Sequence, residues 1–406
     1  MSGTVGDVRT GFFYGIMHRE FESGALPWGY FYSLPLWQKQ GMSLQCGIIG
    51  LANTGKTTLF NCMSGTRAEV SQFAFGSRKS NVGIIQVPDP RLYKLEKYQP
   101  TEKIVPATIE IIDIPGLTKG ASKGEGMGNQ FLSDIRNCDA LIHVLRCFDL
   151  DALPHIEGSV DPVRDMEIVE FELSVKDLES VHKKIEKVHK MARAGDKTAR
   201  AEMEVLQKVK NHLEDFQTVR TLALNPAERT VVKNMFLLTD KPVLYVCNVD
   251  EQALPDGNHY TKQVAEAIAG GKSELLIIAA GMEAEIAELD DPDDRTSFLQ
   301  DLGLQEPGVN KLVRAAYSLL DLETFFTVGP KEIRAWTIHK GATAKEAAGV
   351  IHSDLQRGFI RAEVLKYDDF VTLGSELACK DAGKLHIEGK NYLVSDGDIL
   401  HIRFNV

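Results

Sequence analysis

The segment with the clearest chemistry lies near residue 50, where glycines flank a lysine and a threonine. An apolar run at 44–50 leads into Gly50-Leu-Ala-Asn-Thr-Gly55-Lys56-Thr57, the pattern G-x-x-x-x-G-K-T, and a helical stretch follows. In this context of strand, turn and helix, backbone amides surround phosphate oxygens, the lysine reaches the outer phosphates and the threonine hydroxyl holds Mg²⁺. The residues expected to bind a nucleotide here are Asn53, Thr54, Gly55, Lys56, Thr57 and Thr58. Lys56 is also expected to act in catalysis.

A second phosphate motif follows the next apolar strand, at 107–112. It reads Asp113-Ile-Pro-Gly116, a D-x-x-G pattern that brings a carboxylate close to Mg²⁺ and a backbone amide close to the terminal phosphate. We therefore expect Thr57 and Asp113 to hold the metal and Gly116 to act in catalysis.

The base-reading motif is altered at the end of a third apolar strand, PVLYVC at 242–247. Asn248, Val249 and Glu251 stand where related GTPases carry N-K-x-D, whose aspartate accepts hydrogen bonds from guanine N1–H and the guanine 2-amino group. Adenine lacks the 2-amino donor. Because the aspartate and the lysine are both replaced, the expectation of guanine specificity is weakened.

Length and composition limit the number of domains and the kinds of partner and location that this chain can have. A chain of 406 residues with 43% hydrophobic and 25% charged residues predicts two or three folded domains. The net charge of −11 argues against nucleic-acid or membrane binding over the whole surface, while local basic patches stay possible. The six cysteines lack C-x-x-C spacing, which predicts buried free thiols and a reducing, cytoplasmic location. No run of about 20 apolar residues predicts a membrane helix.

Changes in pattern along the chain predict the domains. Residues 1–41 hold nine of the 31 aromatic residues and are interpreted as a disordered tail or an upstream-start artefact. The nucleotide domain is expected at 42–173 and 228–320, and short strand-like pieces fill 321–406. Between them, 174–227 is predicted to form an antiparallel helical hairpin, on apolar residues seven apart at Phe171, Leu178, Ile185 and Ala192. Residues 183–200 contain seven basic and two acidic residues, which indicates either a solvated helix face or an RNA phosphate contact.

From residue 42 to residue 406 the chain resembles the YchF/Obg-like ATPase family of P-loop NTPases. The resemblance rests on GLANTGKTTLFN at 50–61, NVGIIQVPDPRL at 81–92, DIPGLTKGASKGEGMGNQFL at 113–132, VLRCF at 144–148, NVDE at 248–251 and KGATAKEAAGVIHSDLQRGFIRAEV at 340–364. It implies an α/β fold: a Rossmann-like G domain with an inserted antiparallel coiled-coil hairpin and a C-terminal β-grasp TGS domain. It also implies a regulatory ATPase that binds the ribosome, with rRNA or tRNA contacts through the hairpin and the TGS domain.

The resemblance further assigns roles to single residues. Leu117 stands where Ras-like enzymes carry a water-positioning glutamine, so His155, in the loop after VLRCF, is implied to orient the attacking water; a solvated surface histidine is the alternative. Asn53 stands where potassium-stimulated relatives hold K⁺, although a turn-stabilising side chain is equally consistent. Ser77 stands at the threonine of the first switch loop and is implied as a metal ligand, but neighbouring Arg78 and Lys79 depart from the family pattern.

Two other functions stay open from the sequence. One is a guanine-specific Obg-type GTPase. The other is a scaffold or RNA-binding protein that uses nucleotide as a structural ligand.

Overall fold

The computed structural model describes residues 44–65, 70–71, 80–116, 127–271 and 273–405, all within the unit Ser43–Val406. Ser77, Leu117 and the segment 1–41 lie outside the described residues. All six cysteines are buried and free, as predicted. None of the described helices combines the length and the apolar composition that a membrane crossing needs.

The chain up to residue 320 alternates strands and helices. Its strands are β1 (Gln45–Ile49), β2 (Val70–Ser71), β3 (Asn81–Gln86), β4 (Ile104–Val105), β5 (Thr108–Asp113), β6 (Ala140–Arg146), β7 (Val243–Asn248) and β8 (Glu274–Ile278). Its helices are α1 (Lys56–Gly65), α2 (Pro90–Tyr98), α3 (Met127–Asn137), α4 (Pro162–Arg193), α5 (Lys197–Glu214), α6 (Pro226–Lys233), α7 (His259–Ala267), α8 (Ala280–Glu288), α9 (Pro292–Asp301) and α10 (Gly308–Leu319). Short 3₁₀ turns span Val219–Thr221 and Glu251–Ala253.

Seven of these strands form one sheet in the order β2-β3-β5-β1-β6-β7-β8. Strands β5, β1, β6, β7 and β8 are parallel, and β3 runs antiparallel to β5. The central strands are mostly apolar because helices cover both faces of the sheet, and every residue of β6 is buried, including His143 and Arg146. Since the carboxyl ends of parallel strands meet at one edge, the three predicted nucleotide motifs converge there.

The helical insertion is one long helix followed by a shorter antiparallel one. Asp161 caps the start of α4 and Asp196 caps the start of α5, with Gly195 at φ +95° in the turn between them. The hairpin core consists of Val181, Val188, Val205, Leu206 and Val209, all buried. The predicted heptad holds for its middle members, but Phe171 is 48% exposed. The domain boundary expected at 174 falls inside α4, whose first turns bury Val169 and Leu173 against the nucleotide sheet.

The rest of the chain forms a second sheet around a short helix. Its strands are β9 (Leu322–Val328), β10 (Ile333–His339), β11 (Phe359–Lys366), β12 (His386–Glu388) and β13 (Asp398–Phe404). Its helices are α11 (Ala344–Ile351), α12 (Ser353–Arg357), α13 (Tyr367–Leu373) and α14 (Glu376–Asp381). Three alanines let α11 pack closely on the sheet: Ala344, Ala347 and Ala348 are fully buried with Phe325. The predicted architecture of G domain, hairpin and C-terminal sheet domain is thus confirmed.

The two domains share a sheet and a core. The C-terminal sheet has the order β12-β11-β13-β9-β10-β4, so β4 of the nucleotide domain is its edge strand and runs parallel to β10. Leu92 and Leu95 of α2 are buried in one apolar cluster with Phe326 and Phe370. The guanidinium of Arg91 bridges Asp89 and Asp396 across the same junction.

Candidate nucleotide-binding site

The turn between β1 and α1 needs both of its glycines. Gly50 has φ +144°, and an added Cβ would lie 2.4 Å from the carbonyl oxygen of Val144. Gly55 has φ +95°, and its Cβ would lie 2.3 Å from Nδ2 of Asn248. Asn53 also adopts a left-handed conformation, at φ 62°, and its side chain is exposed. The turn is therefore wound tightly enough to point successive backbone amides at one anion.

Lys56 begins α1 and lies folded back against its own loop. Its ammonium donates to the Leu51 carbonyl oxygen at 2.6 Å, and the residue is only 6% exposed. Burial lowers the pKa of Lys56 to about 8, although the nearby Asp113 carboxylate opposes this. Gly116 lies over the same loop, since a Cβ there would be 3.1 Å from the Ala52 nitrogen and 3.3 Å from the Lys56 ammonium. The two predicted phosphate motifs therefore meet.

A hydroxyl and a carboxylate form a pair suited to Mg²⁺. Thr57 Oγ1 donates to Asp113 Oδ2 at 2.9 Å, while the buried Oδ1 of Asp113 has no hydrogen-bond partner in the described part of the chain. Burial raises the pKa of Asp113, opposed by the Thr57 hydrogen bond and the charge of Lys56. Among the described residues, no group of three or more His, Cys, Asp or Glu side chains is arranged so that it could hold a metal ion. One carboxylate and one hydroxyl fit Mg²⁺, which usually takes its other ligands from phosphates and water.

Asn248 connects the loop to the start of α8. It is 4% exposed, its Nδ2 donates to the Thr54 carbonyl oxygen at 3.0 Å, and its Oδ1 accepts from the Ala280 amide at 2.9 Å. Val249 is buried, and its amide donates to the Ile278 carbonyl oxygen.

The residues after Val249 divide into one that builds the turn and one that faces solvent. Asp250 caps the following turn by accepting from the Ala253 amide at 3.0 Å, and is thereby committed to structure. Glu251 begins that turn with an exposed side chain.

His155 is held in a separate cluster at the start of α4. Its Nε2 lies 2.8 Å from Asp165 Oδ2, and its Nδ1 accepts from the Glu157 amide at 3.1 Å. The side chains of His155 and Asp165 are 2% and 1% exposed, and Arg164 pairs with Asp165 on the other side. The alternative of a solvated surface histidine is therefore wrong. The contacts of His155 are with α4 and its own loop, while Lys56, Thr57 and Asp113 form their own group.

The loop that carries His155 is organised by a residue to which the sequence reasoning gave no role. Arg146, 1% exposed at the end of β6, donates to the carbonyl oxygens of Phe148 at 3.1 Å and Leu153 at 2.8 Å. Its guanidinium also lies 4.7 Å from the centre of the Phe148 ring. An arginine at the end of an apolar strand, in VLRCF, was the available signal, because a buried guanidinium must find several acceptors.

Comparisons with known proteins agree with this geometry. Residues 45–197 match the family model MMR_HSR1, described as a 50S ribosome-binding GTPase, and residues 322–405 match YchF-GTPase_C, described as a protein of unknown function. Proteins named Ribosome-binding ATPase YchF are 45% identical over 365 residues in Haemophilus influenzae, 47% over 367 in Bacillus subtilis and 46% over 365 in Escherichia coli O157:H7. Each alignment covers 90% of this chain and 100% of the relative. The structure of the Schizosaccharomyces pombe YchF GTPase is 33% identical, with a TM-score of 0.79, over 89% of this chain and 98% of that one.

Proposed function

Because this chain belongs to the YchF family, we propose that it is a Mg²⁺-dependent nucleotide hydrolase that prefers ATP to GTP and works on the ribosome. The observation that carries the hydrolase activity is the pairing of Thr57 with Asp113 beneath a loop whose lysine is buried. A ribosome-bound hydrolase works in the cytoplasm, and this location is part of the proposal.

The loop residues perform most of the binding. The amides of 53–58 surround the phosphates, and the Lys56 ammonium leaves the Leu51 carbonyl for the outer phosphate oxygens. Thr57 and Asp113 would hold Mg²⁺, and the bound metal would neutralise phosphate charge. The Gly116 amide donates to the terminal phosphate in this proposal, which is supported by the closeness of Gly116 to the loop.

His155 orients the attacking water in this proposal. It must first separate from Asp165, so the loop held by Arg146 has to move between a resting and an active position. His155→Ala is expected to lower ATP turnover by about 10²-fold while the Kd for ATP stays within about twofold of wild type. His182→Ala, an exposed histidine on the hairpin, is the matched control. Unchanged turnover in His155→Ala would remove this residue from the mechanism.

Base preference is assigned to Asn248, Val249 and Glu251. Parallel titrations are expected to give a lower Kd for ATP than for GTP. Glu251→Asp, which restores the usual aspartate, is expected to reduce the difference between the two Kd values. A strong preference for GTP in the wild type would instead establish the guanine-specific alternative.

Asn53 is proposed to hold K⁺ against the phosphates, since its side chain is exposed beside the loop amides. Turnover is then higher in K⁺ than in Na⁺ at equal ionic strength, and Asn53→Ala abolishes the difference. Equal rates in wild type would leave Asn53 with a role in the turn alone.

The ribosome contact is assigned to the distal hairpin together with the C-terminal sheet domain. Lys183, Lys187 and Lys190 are exposed along α4, and no ion-pair partner is found for them among the residues described. Cosedimentation with ribosomes should weaken steeply with salt, and a variant with these lysines changed to alanine should have a shallower salt slope. Negligible turnover both with and without ribosomes would favour the scaffold alternative.

A further inference from the structure

An exposed aromatic pair marks the base of the hairpin. Phe171 of α4 stacks on Phe216, just beyond α5, with ring centres 6.0 Å apart and an interplanar angle of 26°. The two side chains are 48% and 72% exposed, and Phe216 is the most exposed large apolar side chain in the described ranges. A cavity of about 220 Å³ opens beside the pair, lined by Arg164, Glu167, Ile168, Phe171 and Glu172. We call Phe171, Phe216 and this cavity the root patch.

The root patch carries uncompensated negative charge. Glu167 and Asp215 are exposed, and neither has an ion-pair partner within the described segments. The neighbouring Arg164 is already paired with Asp165, and Glu214 with Lys210. An aromatic platform beside free carboxylates repels phosphate backbones and attracts a guanidinium, which stacks on aromatic faces.

Arginines with this chemistry lie at the other end of the same hairpin. His189 is 18 residues beyond Phe171, which is five turns of α-helix, and Arg193 follows it at i+4, so all three lie along one side of α4. Arg193 is exposed at the end of α4, and Arg200 is exposed at the start of α5, where its Nε donates to the Ala192 carbonyl oxygen at 3.3 Å. We call Arg193 and Arg200 the tip pair.

The spacing suits a symmetric dimer. The rise of an α-helix puts Phe171 and Arg193 about 33 Å apart along the axis. If two hairpins lie antiparallel about a two-fold axis, each tip pair reaches the other copy's root patch and the same contact forms twice.

We propose that two copies of this chain associate through their hairpins, with the tip pair of each copy stacked on Phe171 and Phe216 of the other, beside Glu167 and Asp215. The same arginines belong to the basic segment assigned to ribosomal RNA, so dimerisation and RNA binding exclude one another.

Sedimentation velocity of the full chain in the absence of ribosomes tests the contact. Wild type is expected to shift from monomer to dimer with rising concentration at low salt, and the dimer should weaken at high salt. Phe171→Ser combined with Phe216→Ser should raise the dimer dissociation constant about tenfold or more. Phe236→Ser, an equally exposed phenylalanine at 66%, is the matched control and should leave it unchanged. Thermal melts establish that each variant is folded.

Charge exchange tests the pairing itself. Glu167→Arg with Asp215→Arg, and separately Arg193→Glu with Arg200→Glu, should each abolish self-association, because like charges then meet in the homodimer. An equimolar mixture of the two variants restores opposite charges at both contacts and should form the heterodimer. The proposal is overturned if wild type stays monomeric at all concentrations, or if the mixture does not associate. It is also overturned if the phenylalanine variant loses affinity for single-stranded RNA instead of for itself.

Discussion

Lys56 is expected to make nucleotide binding depend on pH in a range where most lysines are fully charged. Burial lowers its pKa to about 8 in the nucleotide-free protein, whereas phosphate oxygens beside the ammonium are expected to hold the proton in the complex. Lys56 is then about 90% protonated at pH 7 and about 10% at pH 9. Binding must take up the missing proton, so affinity falls as pH rises through 8. The Kd for ATP should be about tenfold weaker at pH 9 than at pH 7, which corresponds to about 1.4 kcal/mol.

Isothermal titration calorimetry measures both the affinity for ATP and the number of protons taken up on binding. At pH 8.5, titrations in two buffers with different ionisation enthalpies should report an uptake of about 0.8 protons per ATP bound. Lys56→Arg is the control, because a guanidinium stays charged throughout this range and its Kd should not change between pH 7 and pH 9, whatever its absolute value. A wild-type Kd that is constant from pH 7 to pH 9, or an uptake near zero, would refute the assignment of a lowered pKa to Lys56.

Three further substitutions test the phosphate loop at Gly55, the buried amide of Asn248 and the buried carboxyl group of Asp177. Gly55→Ala should weaken nucleotide binding by about tenfold or more, measured by fluorescent-nucleotide titration, because its Cβ would overlap the Asn248 amide. Gly65→Ala, with open space around it, should bind as wild type does. Asn248→Ala leaves a buried carbonyl and a buried amide unpaired and should lower the free energy of unfolding by about 2–4 kcal/mol in urea denaturation; a loss below 0.5 kcal/mol would contradict this. Asp177 of α4 is fully buried and accepts from the amides of Leu238 and Thr239. Burial raises its pKa from 3.8 to about 6, so the folded state binds its proton more tightly, and its contribution to stability should fall by about 2 kcal/mol as pH rises from 4 to 7. Asp177→Asn should remove that slope, and an unaltered slope would count against the assignment.

The chemistry of the loop was predictable because it depends on local sequence. The residue types in G-x-x-x-x-G-K-T and D-x-x-G, together with the strands before them, are enough to bring Thr57 and Asp113 together at one sheet edge. The structure adds contacts that the motifs do not specify: the Lys56 ammonium on the Leu51 carbonyl oxygen of its own loop, and Asn248 between Thr54 and Ala280. Asn248 and Thr54 are 194 residues apart, and nothing in either motif specifies that their side chain and carbonyl oxygen meet.

Helix boundaries and domain junctions were harder to predict for a related reason. Heptad spacing identified the hairpin, but the same helix continues back to Pro162 because its first turns bury Val169 and Leu173 on the nucleotide sheet. Phe171 fits the heptad by spacing and yet points outward, since its partner is the aromatic ring of Phe216 and not the opposite helix. Periodicity predicts that an apolar stripe exists along the helix, and tertiary packing determines the residues at which the helix and its stripe begin and end.

The two-residue strand β4 has a consequence for how the protein can be divided. A fragment that begins at residue 321 would lose the neighbour of β10 and leave Phe326 and Phe370 without the leucines of α2 that cover them. Such a fragment would expose a sheet edge and an apolar surface together, the two features that promote aggregation. Conversely, any rotation of α2 and β4 also moves the edge strand of the C-terminal sheet, because β4 is that strand. The carboxyl-terminal domain is therefore a structural extension of the nucleotide domain and not a separate domain joined by a linker.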